Sequence, residues 1–216
     1  EQLVSSTVSL FVPKPISIQK SPAVIETLLN YFKTGTSASA LINYLRCPLD
    51  FYYKNVMKFR ESEDVEEIIE ANTLGSYLHK CLEKLYKPYE NKIIGLTQLN
   101  DIKKEIENQL TIAFSEDYTT QDLESGKNYL SVILAKKQLE QFVNFEKEFC
   151  EENEKQNVLM TFFSCEKNEN KTIQVDGHHF LIKGQIDRID KLGDEIRVLD
   201  YKTGNVNPKS LQINSV

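Results

Sequence analysis

The sequence has no long apolar run, no closely spaced pair of cysteines and no excess of basic residues. No stretch approaches the roughly 18 consecutive apolar residues of a membrane-spanning helix, which argues against a membrane protein. The four cysteines (Cys47, Cys81, Cys150 and Cys165) show no C-x-x-C spacing. Disulfides are rare in cytosolic proteins and no secretory signal is evident, so we expect reduced thiols and a cytoplasmic location.

Acidic residues outnumber basic ones, 32 against 26, which gives a net charge of -6. A protein whose main role is to coat nucleic acid needs the opposite balance, because Lys and Arg neutralise the phosphates. An enzyme that acts on nucleic acid is not excluded. Carboxylates that hold a metal ion add negative charge at such a site, and the bound ion reverses the local sign.

The chain is long enough for one domain with a substantial core. We expect residues 1–35 to form a lead-in with one short strand and a helix, which Ser21 caps and Gly35 ends. Residues 36–216 are expected to form the main domain. Apolar periodicity and capping residues predict its helices, at about 38–47, 48–55, 61–70, 72–86, 99–118 and 127–154.

From Val158 onward the apolar residues follow the period of strands. Four strands are predicted, with a turn at EKNENK between the first two and a hairpin at KLGDE between the last two: VLMTFFSCE, KTIQV, HHFLIKGQIDRID and EIRVLDYK. The predicted fold class is therefore α+β, with several helices that precede and pack on a largely antiparallel sheet.

Carboxylates lie in the last predicted hairpin. Asp200 and Lys202 share one face of their strand, and Asp187 on the neighbouring strand lies within reach of Asp200. Two such carboxylates repel each other unless a cation lies between them, and oxygen ligands suit Mg²⁺ or Mn²⁺. With a nearby lysine, this arrangement suits metal-assisted hydrolysis of a phosphodiester, in which a metal-bound water is the nucleophile.

Other interpretations of these residues remain open from spacing alone. Asp187 can form a surface salt bridge with Arg188 or Lys202, since D-x-K is a short and common pattern. His79 lies four residues after Gly75 on one helix face, but a single helical histidine is more often structural than a ligand. Glycine costs about 1 kcal/mol relative to alanine inside a helix, so Gly75 indicates a close approach there.

Four segments together resemble a known family: SASALINYLRCPLDFYYK, LGSYLHKCLE, GQIDRID and LDYKTG. They are similar to the RecB-type branch of the PD-(D/E)XK nuclease superfamily, found in AddB-like helicase-nucleases and CRISPR-associated exonucleases. The resemblance implies a restriction-endonuclease-like core. It also implies metal ligands and a catalytic lysine: Asp187, Asp200, His79 and the main-chain carbonyl of Tyr201 as ligands, Lys202 as the lysine, and Glu166 as a further acidic position.

The sequence departs from this family in two respects. In some members the equivalent of Cys47 binds an iron-sulfur cluster with three later cysteines, but none follows Cys165, so no cluster is expected in this chain. The family also continues beyond the lysine motif with a Q-x-x-x-Y helix and another strand. Gln212 has no matching tyrosine, so the C-terminal part of the core is expected to be missing.

The resemblance implies a Mg²⁺- or Mn²⁺-dependent DNA nuclease, an exonuclease in repair or recombination, whose partners are DNA and a helicase subunit or fused helicase domain. One alternative is a non-catalytic DNA-binding or scaffolding domain that keeps the fold. Another is a phosphate-ester hydrolase for small substrates, which the resemblance favours least.

Overall fold

The computed structural model describes residues 16–59 and 68–204. Most of the predicted lead-in strand and most of the acidic helix at 61–70 lie outside these residues. The last three residues of that acidic segment are not helical, because the Ile69 N–H donates to Oδ1 of Asn128 (2.9 Å). Within the described residues, no helix combines the length and the apolar character needed to cross a bilayer.

Two compact units make up the chain. The first comprises Glu1–Ser62 and Asn170–Lys183, and the second comprises Glu63–Glu169 and Gly184–Val216. The domain boundary placed after residue 35 remains a prediction.

The first unit contains short helices and one short strand: α1 (Pro22–Thr34), β1 (Thr36–Ser37), α2 (Ala38–Arg46) and α3 (Pro48–Phe51), which continues as a π-helical turn over Tyr52–Val56. The hydroxyl group of Ser21 caps α1, as predicted, and that of Ser37 caps α2. Strand β1 pairs in parallel with Ile182 and Lys183. The ring of Phe51 is buried against those of Tyr31 and Phe32.

The helices of the second unit build its core: α4 (Ala71–Tyr86), α5 (Leu96–Phe114), α6 (Thr120–Leu123) and α7 (Gly126–Glu154). The predicted apolar stripe of α4 is confirmed, because all four of its leucines are buried: Leu74, Leu78, Leu82 and Leu85. Helix α5 begins three residues earlier than predicted, since the side chain of Gln98 accepts the N–H of Gly95 (3.0 Å) and supports the extra turn.

A mainly antiparallel sheet follows the helices, and β3 and β4 contribute residues to both units: β2 (Lys92–Ile94), β3 (Met160–Val175), β4 (His178–Leu192) and β5 (Glu195–Leu199). Strand β2 pairs with β3, and β4 lies between β3 and β5. The predicted α+β class and the KLGDE hairpin are confirmed, with Gly193 at a φ of 58° in the turn. Strand β2 was not predicted, because three residues are too few for a clear period.

Two details of the predicted strands are wrong. The turn at EKNENK is absent, because β3 continues through it as one strand whose residues beyond Glu166 are exposed. Glu166 has a φ of 49°, which changes the local direction of a strand without ending it. The last strand ends at Leu199, three residues earlier than predicted, because the N–H of Tyr201 bonds to the Asp187 carboxylate and not to a strand carbonyl.

Candidate metal centre

Three side chains of the second unit converge at one point. Nδ1 of His79 lies 3.4 Å from Oε1 of Glu166 and 3.7 Å from Oδ1 of Asp187. The potential ligand atoms all lie within 4.8 Å of one another. The side chains keep 28%, 18% and 11% of their surface exposed, so the point can be reached from solvent but is not freely hydrated.

Each side chain comes from a different element. His79 lies on α4 beside the buried leucine stripe, which fixes the orientation of the helix. Glu166 lies on β3 at the position with positive φ, and Asp187 lies on β4. Because the helix packs in the core and the strands pair in one sheet, the three groups are held by regular structure and not by mobile loops.

The main chain of Tyr201 completes the cluster. Its N–H donates to Oδ2 of Asp187 (2.6 Å), and its carbonyl oxygen lies 3.2 Å from Nε2 of His79. A carbonyl can only accept, so Nε2 is the donor and bears a proton. Nδ1 of His79 then either bears a second proton or directs a lone pair at the two carboxylates, which is the form that binds a metal ion.

The two carboxylates of the cluster repel each other. Burial raises the pKa of Glu166, the charge of Asp187 raises it further, and His79 opposes the rise. A divalent cation would remove this repulsion. The two carboxylates suit Mg²⁺ or Mn²⁺, and the imidazole suits a transition metal ion, so the set as a whole fits Mn²⁺ better than Mg²⁺. The residues present therefore fit the predicted cofactor.

Asp200 and Lys202 lie outside this cluster. They follow β5, their side chains are 64% and 56% exposed, and they form an ion pair with each other (2.7 Å). Among the described residues, Asp200 does not belong to the group of potential ligand atoms around His79. The structure thus brings together His79, Asp187 and the Tyr201 carbonyl, while the roles predicted for Asp200 and Lys202 remain predictions.

An open cavity of about 540 Å³ lies beside the cluster, which is within the usual range for a binding site. Polar residues of one face of α4, with one residue from each of two strands, form its wall: Asn72, Gly75, Ser76, His79, Lys80, Glu83, Glu166 and Gln185. The cavity thus follows α4 from Asn72 to Glu83 and includes the carboxylate of Glu166 in its wall.

The close approach predicted at Gly75 involves the segment that follows β5. A Cβ atom added at Gly75 would lie 3.4 Å from Oγ1 of Thr203, which is an ordinary contact. Gly75 therefore lies beside the loop that contains Tyr201, but the available space also admits an alanine.

The sequence indicates Glu166 only as a further acidic position, whereas the structure places its carboxylate beside His79. Nothing in its spacing signals the positive φ that accompanies its place beside His79. Sequence reasoning also missed the ion pairs beneath the cluster, where Arg188 bonds to Glu146 and Asp190. The sequence does indicate that Arg188 is buried, because successive side chains of a strand alternate. If Asp187 faces the site, Arg188 faces the core.

Comparison with known proteins gives one family and several distant relatives. Residues 36–215 match the sequence model of the PD-(D/E)XK nuclease superfamily. A subunit of the ATP-dependent helicase/deoxyribonuclease of Clostridium perfringens (strain SM101 / Type A) is 29% identical over 204 residues, which cover 88% of this chain and 17% of that protein. A protein of the same name from Carboxydothermus hydrogenoformans is 27% identical over 221 residues, with 95% and 19% covered.

An uncharacterized protein of Rickettsia bellii is 25% identical over 180 residues, which cover 83% of this chain and 20% of that protein. The chain thus spans about a fifth of the length of the curated relatives it matches. The family match covers most of the chain and includes all the residues of the cluster, and the α+β architecture is consistent with the predicted restriction-endonuclease-like core. The chain therefore belongs to the PD-(D/E)XK nuclease superfamily.

Proposed function

We propose that this chain is a divalent-metal-dependent deoxyribonuclease, an exonuclease that acts in DNA repair or recombination. The observation that supports this most strongly is the convergence of the His79, Glu166 and Asp187 side chains beside an open polar cavity. Superfamily membership supports the reaction type, and the names of the relatives support DNA as the substrate.

Asp187, Glu166 and His79 would hold Mg²⁺ or Mn²⁺. The Tyr201 carbonyl, predicted from the sequence as a further ligand, faces Nε2 of His79, whereas the two carboxylates face Nδ1, so the carbonyl would have to turn to reach the same ion. When bound, the ion supplies Lewis-acid chemistry for phosphodiester hydrolysis. Asp187 has two functions, because one of its oxygens faces His79 while the other holds the N–H of Tyr201. His79 is oriented by the Tyr201 carbonyl, which keeps the proton on Nε2 and leaves Nδ1 for the ion.

Lys202 and Asp200 would act on the substrate side of the cluster. Their ion pair is solvent-exposed, and such pairs contribute about 1 kcal/mol or less, so a phosphate can displace Asp200 from Lys202 at low cost. The ammonium group would then stabilise the charge that develops on the phosphate, and the released Asp200 carboxylate would be available as the additional ligand predicted from the sequence.

The proposed partner is a helicase, either as a separate subunit or fused in a longer protein, and the proposed location is the cytoplasm. In the relatives with helicase/deoxyribonuclease names, the matched region covers 17% and 19% of the protein, so these proteins are between five and six times longer than it. A nuclease that acts with a helicase receives a strand that has already been separated. An open cavity along α4 is compatible with such a substrate.

The test is cleavage of end-labelled single- and double-stranded DNA by the 216-residue chain in Mg²⁺, in Mn²⁺ and in EDTA. We expect cleavage only with a divalent ion, shortening from the ends, and loss of cleavage in Asp187→Asn. Asp194→Asn is the matched control, since Asp194 is an exposed turn residue of the same hairpin. Cleavage in EDTA, or equal cleavage by Asp187→Asn, would contradict the proposal.

The exposed pairing of Asp200 with Lys202 favours a second function, a DNA-binding or scaffolding domain without activity. The two functions differ in their metal requirement. A scaffold should bind DNA in EDTA, with an affinity that falls as salt rises, whereas a nuclease site should need the divalent ion. A small-substrate hydrolase would instead cleave a chromogenic phosphodiester with no gain from polymeric DNA.

A further inference from the structure

A group of charged side chains is buried beneath the metal centre. The Arg188 side chain is 0% exposed, and its Nη1 donates to Oε2 of Glu146 (2.8 Å), which is 2% exposed. Its Nε donates to Oδ1 of Asp190 (2.8 Å), which is 0% exposed. Nη2 of Arg197 lies 3.9 Å from Oδ2 of Asp190. The group therefore contains two positive and two negative side chains, whose charges cancel.

Aromatic rings enclose the Arg188–Glu146 pair. The guanidinium carbon of Arg188 lies 4.3 Å from the ring centre of Tyr86 and 5.6 Å from that of Phe162. The Tyr86 hydroxyl donates to the same Glu146 oxygen (2.6 Å). The pair is thus held in one geometry by charge, by a phenol donor and by ring faces, all inside the core.

Stability does not account for such a pair. Removing charges from water costs several kcal/mol per ion, and replacing a buried ion pair with apolar residues of similar volume is often neutral or stabilising. Directional bonds, by contrast, fix side chains in one arrangement more strictly than apolar packing does. A buried pair next to a functional site therefore points to a geometric role.

Tyr201 connects this pair to the metal centre. The ring of Tyr86, which lies over the Arg188 guanidinium, packs edge-on against Phe142 with centroids 6.5 Å apart. The ring of Tyr201 packs edge-on against the same phenylalanine with centroids 5.4 Å apart. The main chain of Tyr201 bonds to Asp187 and faces His79.

Asp187 and Arg188 are consecutive in β4, so their side chains leave the strand on opposite faces. Asp187 enters the candidate metal centre, and Arg188 enters the core, where the rings of Tyr86 and Phe142 connect it to the ring of Tyr201. Two separate connections therefore join Arg188 to the ligand cluster, one through the β4 backbone and one through Tyr201.

We propose that Arg188, held by Glu146, is a positioning residue that fixes Tyr201 so that its N–H orients Asp187 and its carbonyl faces His79. It touches neither the ion nor the substrate. Its effect is to set the spacing of the ligand atoms. This inference rests on the proposed function of the cluster as a metal site.

The test uses the double variant Arg188→Met, Glu146→Gln in the full chain. The substitutions remove one charge of each sign, leave Asp190 with Arg197 and keep an oxygen acceptor for the Tyr86 hydroxyl. Lys136→Met, Glu107→Gln is the matched control, since that pair also joins α7 to another element but is exposed. Three quantities are measured: the melting temperature, the Mn²⁺ affinity by calorimetry in the absence of DNA, and the hydrogen-exchange protection of the Tyr201 amide.

We expect the double variant to melt below the wild type, because the buried Asp190 loses the Nε donor of Arg188. At temperatures where it is folded, it should bind Mn²⁺ about tenfold more weakly and lose protection at the Tyr201 amide. The control should match the wild type in all three. A purely structural role would lower the melting temperature and leave both the Mn²⁺ affinity and the amide protection of the folded protein unchanged. That result would overturn the inference.

Two further outcomes can be distinguished. If the double variant does not fold, the same three quantities are measured on Glu146→Gln alone. This substitution removes the charge that holds Arg188 and preserves the shape of the side chain at position 146. If the wild type binds no Mn²⁺, the proposed function fails, but the amide protection still reports on positioning. Loss of protection at Tyr201 would then support the inference, and retained protection would overturn it.

Discussion

The main-chain N–H of Tyr201 donates a hydrogen bond to Oδ2 of Asp187 over 2.6 Å, although the two residues are 14 positions apart in the sequence. A carboxylate here takes the place of a strand carbonyl, so β5 ends at Leu199 and the chain turns. The turn directs the Tyr201 carbonyl toward His79. One hydrogen bond thus ends a strand and positions a main-chain carbonyl beside His79.

Asp200→Ala is expected to abolish metal-dependent cleavage without affecting stability. Asp200 is exposed and forms an exposed ion pair with Lys202, so the free energy of unfolding should change by less than about 0.5 kcal/mol. Loss of a metal ligand should reduce the rate by more than about 100-fold, the upper range for an outer-shell partner. Cleavage rates and urea unfolding measure the two effects, with Asp194→Ala as the control. Unchanged cleavage would remove Asp200 from the site.

Glu166→Gln is expected to stabilise the metal-free chain and to weaken Mn²⁺ binding. The pKa of Glu166 is raised above its ordinary value of 4.5, so the folded state keeps this proton to higher pH than the unfolded state does. The stabilisation that protonated Glu166 gives the folded state is therefore fully present at low pH. It is lost as the pH rises through the pKa that Glu166 has in the folded protein.

Thermal melts in EDTA measure this effect. Above that pKa the variant should melt a few degrees higher than the wild type, and the difference should vanish near pH 4. Addition of Mn²⁺ should stabilise the wild type more than the variant. A variant that melts lower at pH 7.5 in EDTA would show that Glu166 contributes to stability and is not a strained ligand.

Gly75→Ala is expected to raise the free energy of unfolding by about 0.5–1 kcal/mol, because glycine inside a helix costs that much relative to alanine. Among the residues that the structure describes, the added methyl group would meet Oγ1 of Thr203 at 3.4 Å. Gly75→Val should instead push against Thr203 and weaken Mn²⁺ binding through the neighbouring Tyr201. Urea unfolding and calorimetry measure both effects. Destabilisation by alanine would mean that the loop packs closer to α4 than it does here.

Thiol labelling at pH 8 is expected to modify one cysteine quickly. Burial raises the pKa of Cys81 to about 12 and that of Cys150 and Cys165 to about 11, so their thiolate fractions are small at this pH. Cys47 is exposed and should react first. Mass spectrometry after a short exposure should find one label, and after unfolding in urea four. Rapid labelling of more than one site in the folded chain would contradict the buried positions.

Local patterns predicted the elements whose signals are local. Pro22 after a capping serine, the leucine stripe of α4 and the glycine turn at Gly193 all act within a few residues, and each is confirmed. The end of β5 was not predictable in this way, because it depends on a bond between Tyr201 and a residue on another strand. Strand β3 was predicted as two strands because asparagines favour turns, but strand pairing overrides that preference.

The candidate metal centre was predictable only in part, because some of its residues belong to local motifs and others meet only in the folded chain. Asp187 and His79 belong to motifs that resemble a family, whereas the position of Glu166 depends on a left-handed residue inside a strand. The buried pair of Arg188 and Glu146 joins residues 42 positions apart, and only the assembled core brings them together. Distances of this kind follow from tertiary packing and not from spacing in the sequence.

Titration of Mn²⁺ into the wild-type chain and into Asp187→Asn, followed by calorimetry, tests the central claim most directly. The substitution keeps an oxygen to accept the Tyr201 N–H and removes the charge that would bind the ion. We predict one bound Mn²⁺ per wild-type chain and binding at least about 100-fold weaker in the variant. Absence of binding by the wild type, or equal binding by the variant, would contradict a metal centre at His79, Glu166 and Asp187.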